Sequence, residues 1–171
     1  MSRIMIIGSG GAGKSTLARQ LGEILDWPVY HLDTYYWKPG WVPTPNEEWD
    51  VFLEELVQEE KWIMDGNYGR TLDIRLKQAN VIILLDFSKW ITVYRVLKRR
   101  VMYQGKSRPD MNEGCPESLD LDFVKWVWSF RKTKLPGIME KIQQHKDKNV
   151  IILKSPKEVR RFLAHAGELK R

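Results

Sequence analysis

Apolar positions along the chain follow two alternating rhythms. Unbroken runs at Ile4-Met5-Ile6-Ile7 and Val81-Ile82-Ile83-Leu84-Leu85 have no polar side, which predicts strands buried on both faces, as in a parallel sheet, and Asn149-Val150-Ile151-Ile152-Leu153 predicts a further strand. Weaker runs at residues 27–32 and 61–64 bring the predicted strands to five. Between them, Leu17, Leu21, Ile24 and Leu25, then Trp49, Phe52, Leu53 and Leu56, then Phe123, Val124, Trp126, Val127 and Phe130 keep helical spacing, so each group would pack one side of a helix. Shorter helices are expected through Leu72, Ile74 and Leu76, across residues 88–103, around Ile138, Met139 and Ile142, and from Pro156 to 166. Strand and helix in alternation predict an α/β domain whose parallel sheet is covered on both faces.

The rhythm breaks at two places. Residues 34–45, Thr-Tyr-Tyr-Trp-Lys-Pro-Gly-Trp-Val-Pro-Thr-Pro, hold too much proline and aromatic surface to continue a regular element. Residues 104–118, with Gly105, Pro109, Gly114 and Pro116, read as a mobile lid. A single domain is therefore expected over 1–171, with a substrate-side insertion at 34–60 and a lid region at 101–131.

Chemistry enters at residues 8–16, Gly-Ser-Gly-Gly-Ala-Gly-Lys-Ser-Thr, which match G-x-x-x-x-G-K-[ST] between a strand and a helix. Gly8, Gly10, Gly11 and Gly13 let the backbone turn its N–H groups inward on phosphate oxygens, and the helix start adds its positive dipole end. Lys14 can reach the β- and γ-phosphates, the Ser15 hydroxyl is placed for magnesium, and Thr16 for the α-phosphate. The expected ligands are ATP and Mg2+.

Two carboxylates fall at strand ends, where ligands of open α/β sheets bind. Asp33 can hold an acceptor hydroxyl, act as a base or bind magnesium-bound water, or else cap the next turn. Asp65, followed by Gly66 and Arg70, suits the magnesium carboxylate beside the loop, and Asp86 is the second choice for that role. Tyr36 and Trp37 offer flat surface to an acceptor, or pin the insertion to the body. Arg95 and Arg99, one turn apart, can clamp a polyphosphate, whereas Lys98, Lys106 and Arg108 read as solvated charge. Arg131, ending the aromatic helix, is a candidate to meet the transferred phosphoryl group or to offset the helix dipole.

Composition narrows the class. The chain has 171 residues, a formal net charge of +6, eight tryptophans and one cysteine. No apolar stretch reaches the ~20 residues of a membrane span, and the first strand leaves no room for a signal peptide, so a cytoplasmic protein is expected. Cys115 cannot pair internally and reads as a passive loop residue. The positive balance suits an anionic partner.

Gly8 to Thr16, Asp65-Gly66 with Arg70, Leu84-Leu85-Asp86 and Arg95-x-x-x-Arg99-Arg100 resemble the adenylate kinase and nucleoside monophosphate kinase family. That resemblance implies roles for Asp65 in holding magnesium-bound water, for Arg70 on a substrate phosphate, and for Arg95 and Arg99 on ATP at the start of the lid. Asn67-Tyr68-Gly69 departs from the family spelling and adds a residue. His31-Leu32-Asp33, Trp37-Lys38-Pro39-Gly40-Trp41, Trp62-Ile63-Met64-Asp65-Gly66-Asn67-Tyr68 and the stretch from Trp126 to Arg131 are similar, along nearly the whole chain, to the adenylate kinase-like group labelled DNA topology modulation proteins. The expectation is a three-layer P-loop kinase that moves a phosphoryl group from Mg-ATP to a small acceptor, a nucleotide or nucleoside first and a hydroxylated metabolite second. A nucleotide-dependent DNA-binding regulator is less favoured, because no helix-turn-helix is evident.

Overall fold

In the computed structural model, which describes residues 2–118 and 120–170, the expected five-stranded parallel sheet forms. Its strands are β1 (Arg3–Gly8), β2 (Val29–His31), β5 (Trp62–Asp65), β6 (Val81–Leu85) and β7 (Asn149–Leu153), and β3 (Trp37–Lys38) pairs with β4 (Val42–Pro43) in a separate antiparallel hairpin. The order β2-β5-β1-β6-β7 puts the P-loop strand at the centre with the Asp65 strand beside it. Register carries this to residues: Ile6 is level with Asp65, and Asp65 with His31.

The unbroken apolar runs are explained by the two layers they face. Met5, Ile7, Met64, Ile82 and Leu84 pack against α3 (Asn46–Leu56), α4 (Leu72–Gln78) and α7 (Leu135–Gln143), through Trp49, Leu53, Leu76 and Ile142. Ile4, Ile6, Ile63, Val81 and Ile83 turn to the other side, onto Leu17, Leu21 and Leu25 of α1 (Lys14–Leu25) and the partly buried Val159, Phe162 and Leu163 of α8 (Pro156–His165). Side chains alternate across a strand, so a strand covered on both faces must be apolar at every position. Each fully buried Ile or Leu contributes about 1.5–3 kcal/mol.

Three departures shape the site. The second strand stops at His31, and Leu32–Tyr36 wind into a short helix, α2, anchored by the fully buried Leu32. Asp33 therefore sits on the first turn of a helix rather than at the strand's tip. The stretch expected to be irregular contains the β3–β4 hairpin, turned by Gly40 (φ +77°) and Trp41 (φ +59°). Finally, α5 (Lys89–Met102), capped by Ser88, and α6 (Leu121–Thr133), capped by Asp120, pack on each other over the carboxyl end of the sheet. Among the described residues, no helix is long and apolar enough to cross a membrane.

Candidate active site

A cleft of about 820 Å³ opens where the carboxyl ends of the strands meet α5, α6 and the segment after α5, within the range of small-molecule sites. The P-loop forms its floor. Gly11 (φ +74°) and Gly13 (φ +90°) adopt backbone that favours glycine, and a side chain on Gly11 would meet the Thr92 carbonyl oxygen at 2.4 Å. A Cβ on Gly10 would lie 2.7 Å from the end of the Phe123 ring, so that ring also rests against the loop. Glycine thus lets α5 and α6 close directly on the loop. No side chain caps the start of α1, which leaves its first N–H groups to an anion.

Lys14 folds back over the loop, its Nζ donating to the carbonyls of Gly8 (3.0 Å) and Ser9 (2.9 Å). Burial pulls this ammonium below the usual lysine range, while the carboxylates of Asp33 and Asp65 favour its charge and Arg99 and Arg108 oppose it. Those five groups face the same cleft.

Asp65 is buried, with 3 % of its surface exposed. One carboxylate oxygen accepts from the Ser15 hydroxyl at 3.3 Å, and the other bonds to His31 Nδ1. This hydrogen bond raises the His31 pKa above its ordinary value, against desolvation. Asp33 accepts a 2.5 Å hydrogen bond from the Tyr68 hydroxyl. Burial and the neighbouring Asp33 carboxylate push the phenol's pKa upward, so Tyr68 remains a donor.

The segment from Asp65 to Tyr68 is tied to the P-loop by its own Asn67, which the sequence marks only through a resemblance, and fixed from beneath by Arg75, which local sequence patterns do not single out. Asn67 grips Gly8 at both ends, accepting from its N–H (3.2 Å) and donating to its carbonyl (2.7 Å). Arg75, fully buried, donates to the carbonyls of Gly66 (2.8 Å), Asn67 (2.8 Å), Tyr68 (3.0 Å) and Thr71 (3.3 Å). Desolvation lowers its pKa to about 10.

The cleft gathers most of the expected residues and leaves out four. Gly10, Gly11, Gly13, Lys14, Ser15, Thr16, Asp33, Trp37, Asp65, Gly66, Arg95 and Arg99 line it, and Gly8 supports it through Asn67. Arg70 points away: the turn Gly69–Thr71 directs it to Asp50, with Nε–Oδ1 at 2.8 Å and Nη2–Oδ2 at 2.6 Å. Arg131 lies on the last turn of α6 and pairs with Asp86 (Nε–Oδ1 2.8 Å), also outside the cleft. That pair accounts for Asp86 as well. Tyr36 is held between Trp49 and Tyr68, at ring separations of 5.1 and 4.8 Å, as a packing residue.

Other residues correct the sequence reading in the opposite sense. Arg108, expected as solvated charge, has only 12 % of its side chain exposed and shares Glu117 with Arg99, each Nε 3.1 Å from a carboxylate oxygen. Burial lowers the Arg99 pKa. Phe123 and Trp126, expected as core, face the cleft. Their helical spacing marked an apolar side without saying that part of it lines a cavity.

The oxygens of Ser15 and Asp65 converge, which fits Mg2+ held by one or two protein oxygens with ligand phosphates and water completing its shell. Among the described residues, no group of three His, Cys, Asp or Glu side chains forms a cage for a metal. The phosphate cradle and the Ser15–Asp65 pair fit Mg-ATP.

Solved structures share this architecture. A shikimate kinase from Acinetobacter baumannii in complex with shikimate superposes with a TM-score of 0.62 at 18 % identity, over 99 % of this chain and 92 % of that one. A gluconokinase from Sinorhizobium meliloti gives 0.54 at 15 % identity, over 99 % and 93 %. A shikimate kinase from Bacteroides thetaiotaomicron gives 0.58 at 15 % identity, over 98 % and 97 %. The chain has the three-layer fold of P-loop kinases. No family model matches it, nor does any curated sequence, so the likeness to DNA topology modulation proteins stays at the quoted residues.

Proposed function

We propose that the protein is a kinase that passes the γ-phosphoryl group of Mg-ATP to a hydroxyl of a small hydroxylated metabolite. The observation that carries this reading is the convergence of Lys14, Asp33 and the Ser15–Asp65 pair on one cleft. The P-loop amides and Lys14 bind the triphosphate. Magnesium, when bound, would offset phosphate charge between Ser15 and Asp65. Asp33, oriented by Tyr68, accepts the proton of the acceptor hydroxyl, and Arg99 and Arg108 stabilise charge on the transferring group.

A nucleotide acceptor loses support on this geometry. Arg70, the residue read for a phosphate on the acceptor, is paired with Asp50 outside the cleft, so the contact that the nucleotide reading assigned to the acceptor's phosphate is not formed. The structural neighbours are named as kinases of shikimate and gluconate, small hydroxylated metabolites, which supports the metabolite reading.

The test is coupled ADP release across hydroxylated carboxylates, sugars, nucleosides and nucleoside monophosphates. Release should depend on a hydroxylated metabolite, vanish in Lys14→Ala, and fall by about 10²-fold or more in kcat in Asp33→Asn with Mg-ATP binding retained. Saturable turnover with a nucleoside monophosphate alone would overturn the acceptor assignment, and failure to bind Mg-ATP would overturn the reading as a whole.

A further inference from the structure

The outer face of α5 is apolar where a solvated helix would be polar. Trp90, Tyr94, Leu97 and Val101 are 69, 64, 43 and 76 % exposed, and their 4-3-4 spacing places all four in one stripe. The opposite side of the helix carries the buried Thr92 and Val96 and the cleft residues Arg95 and Arg99. Beside the stripe, α6 adds Trp128 (40 % exposed) and Leu121 (65 %). Trp90 and Trp128 meet edge to face at 4.8 Å, and Lys89 Nζ lies 3.9 Å from the Trp128 ring centre, so these aromatics are held in place before any partner arrives.

The stripe reads the same in both directions about a point between residues 95 and 96. We propose that it is a self-association surface, on which a second copy of this chain lays its own α5 antiparallel about a two-fold axis at that point. In that register Trp90 faces Val101 of the second copy, and Tyr94 faces Leu97: a large side chain meets a smaller one at each level, as a two-fold interface requires. Charge selects the same direction. Lys98 and Arg100 fall beside Ile91 and Val93 of the other copy, whereas a parallel pairing, in which opposite flanks meet, would set Lys98 of one copy against Arg100 of the other. Aromatic side chains bring ~150–250 Å² each, so the two-helix patch offers on the order of 600–800 Å², against about 800 Å² per partner in a standard interface. Contiguous exposed apolar surface of this size marks an interaction site. The dimer would brace the helix that carries Arg95 and Arg99 into the cleft.

Sedimentation of the full chain over a dilution series tests the proposal, with Tyr94→Glu/Leu97→Glu as the disrupting variant. Wild type should be dimeric at micromolar concentration, and the variant should have half the mass with an unchanged melting temperature. Single cysteines in a Cys115→Ala background read the register. Across an antiparallel pair, equivalent residues at 97 are offset by ~4.5 Å along the axis and those at 101 by ~16 Å. Leu97→Cys should therefore form a disulfide with its equivalent, and Val101→Cys should not. A wild-type protein monomeric at every concentration overturns the proposal, as does a dimer that survives the double substitution or oxidation that links Val101→Cys equally well. A monomer whose stripe instead binds anionic vesicles or an acidic amphipathic peptide overturns it too.

Discussion

Asn67 shows how one side chain can set the shape of the phosphate cradle. Its amide satisfies both backbone groups of Gly8, and each hydrogen bond contributes about 1 kcal/mol. Asn67→Ala should weaken Mg-ATP binding about ten- to thirtyfold by calorimetry, whereas Asn67→Asp keeps an acceptor for the N–H but sets a carboxylate against the Gly8 carbonyl. His31 gives a prediction with a sign. Its pKa is raised above 6.5 by the bond to Asp65, so the pair's stabilisation is full below 6.5 and is lost as pH rises through the folded-state value. In EDTA, wild type should melt above His31→Asn at pH 6, and the gap should close towards pH 9; a gap that widens with pH would refute the assignment. Lys14, Ser15 and the glycines were legible because the cradle is local, spanning nine consecutive residues. Asn67 acts 59 positions from its partner and His31 34 from Asp65, and no periodicity encodes such pairings.

The docking between the α2–β4 segment and the residues after α5 is invisible to sequence patterns for the same reason, now between segments. Asn112 Nδ2 donates to the carbonyls of Thr34 (2.5 Å) and Trp37 (2.8 Å), Thr34 Oγ1 donates to Asp110 O (2.9 Å), Gly40 N to Gly114 O (2.7 Å), and Trp41 Nε1 to Pro116 O (3.1 Å). Cys115, 1 % exposed, donates through Sγ to Lys38 O at 3.2 Å, which gives the passive cysteine a structural place. The expected lid is thus tied across the mouth of the site to the aromatic hairpin. Asn112→Ala removes two of these ties, and the segment 104–118 should become the first site of limited proteolysis. On the kinase reading, acceptor-independent ATP hydrolysis should rise as water enters. The buried strands were legible to within a residue or two, since burial on both faces leaves an unbroken apolar run. The α2 turn was not, because tertiary contacts hold it against the weak helix preference of its aromatic and β-branched residues, and neither was the β3–β4 hairpin, whose strands are two residues long and lie among prolines.

Across the whole molecule, the formal charge of +6 gains meaning from where it lies. Lys14, Arg19, Arg95, Arg99, Arg108 and Arg160 line the cleft against Asp33, Asp65 and Asp110, an excess suited to a polyphosphate. Concentrating cations in a concave site favours a small anion over a duplex, which needs them along an extended surface. Binding should then be visible in global stability, because a ligand that binds only the folded state stabilises it by RT ln(1 + [L]/Kd). At a hundredfold excess over Kd this is about 2.7 kcal/mol, and in a domain of this size each kcal/mol shifts the melting temperature by about 2–4 °C. Mg-ATP should therefore raise the midpoint by roughly 5–11 °C. Lys14→Ala should abolish most of the rise without lowering the ligand-free midpoint much, since its ammonium bonds only to loop carbonyls. Removing magnesium should reduce the rise while leaving part of it, because the amides and Lys14 still meet the phosphates. An equal rise in wild type and Lys14→Ala would place ATP somewhere other than this loop.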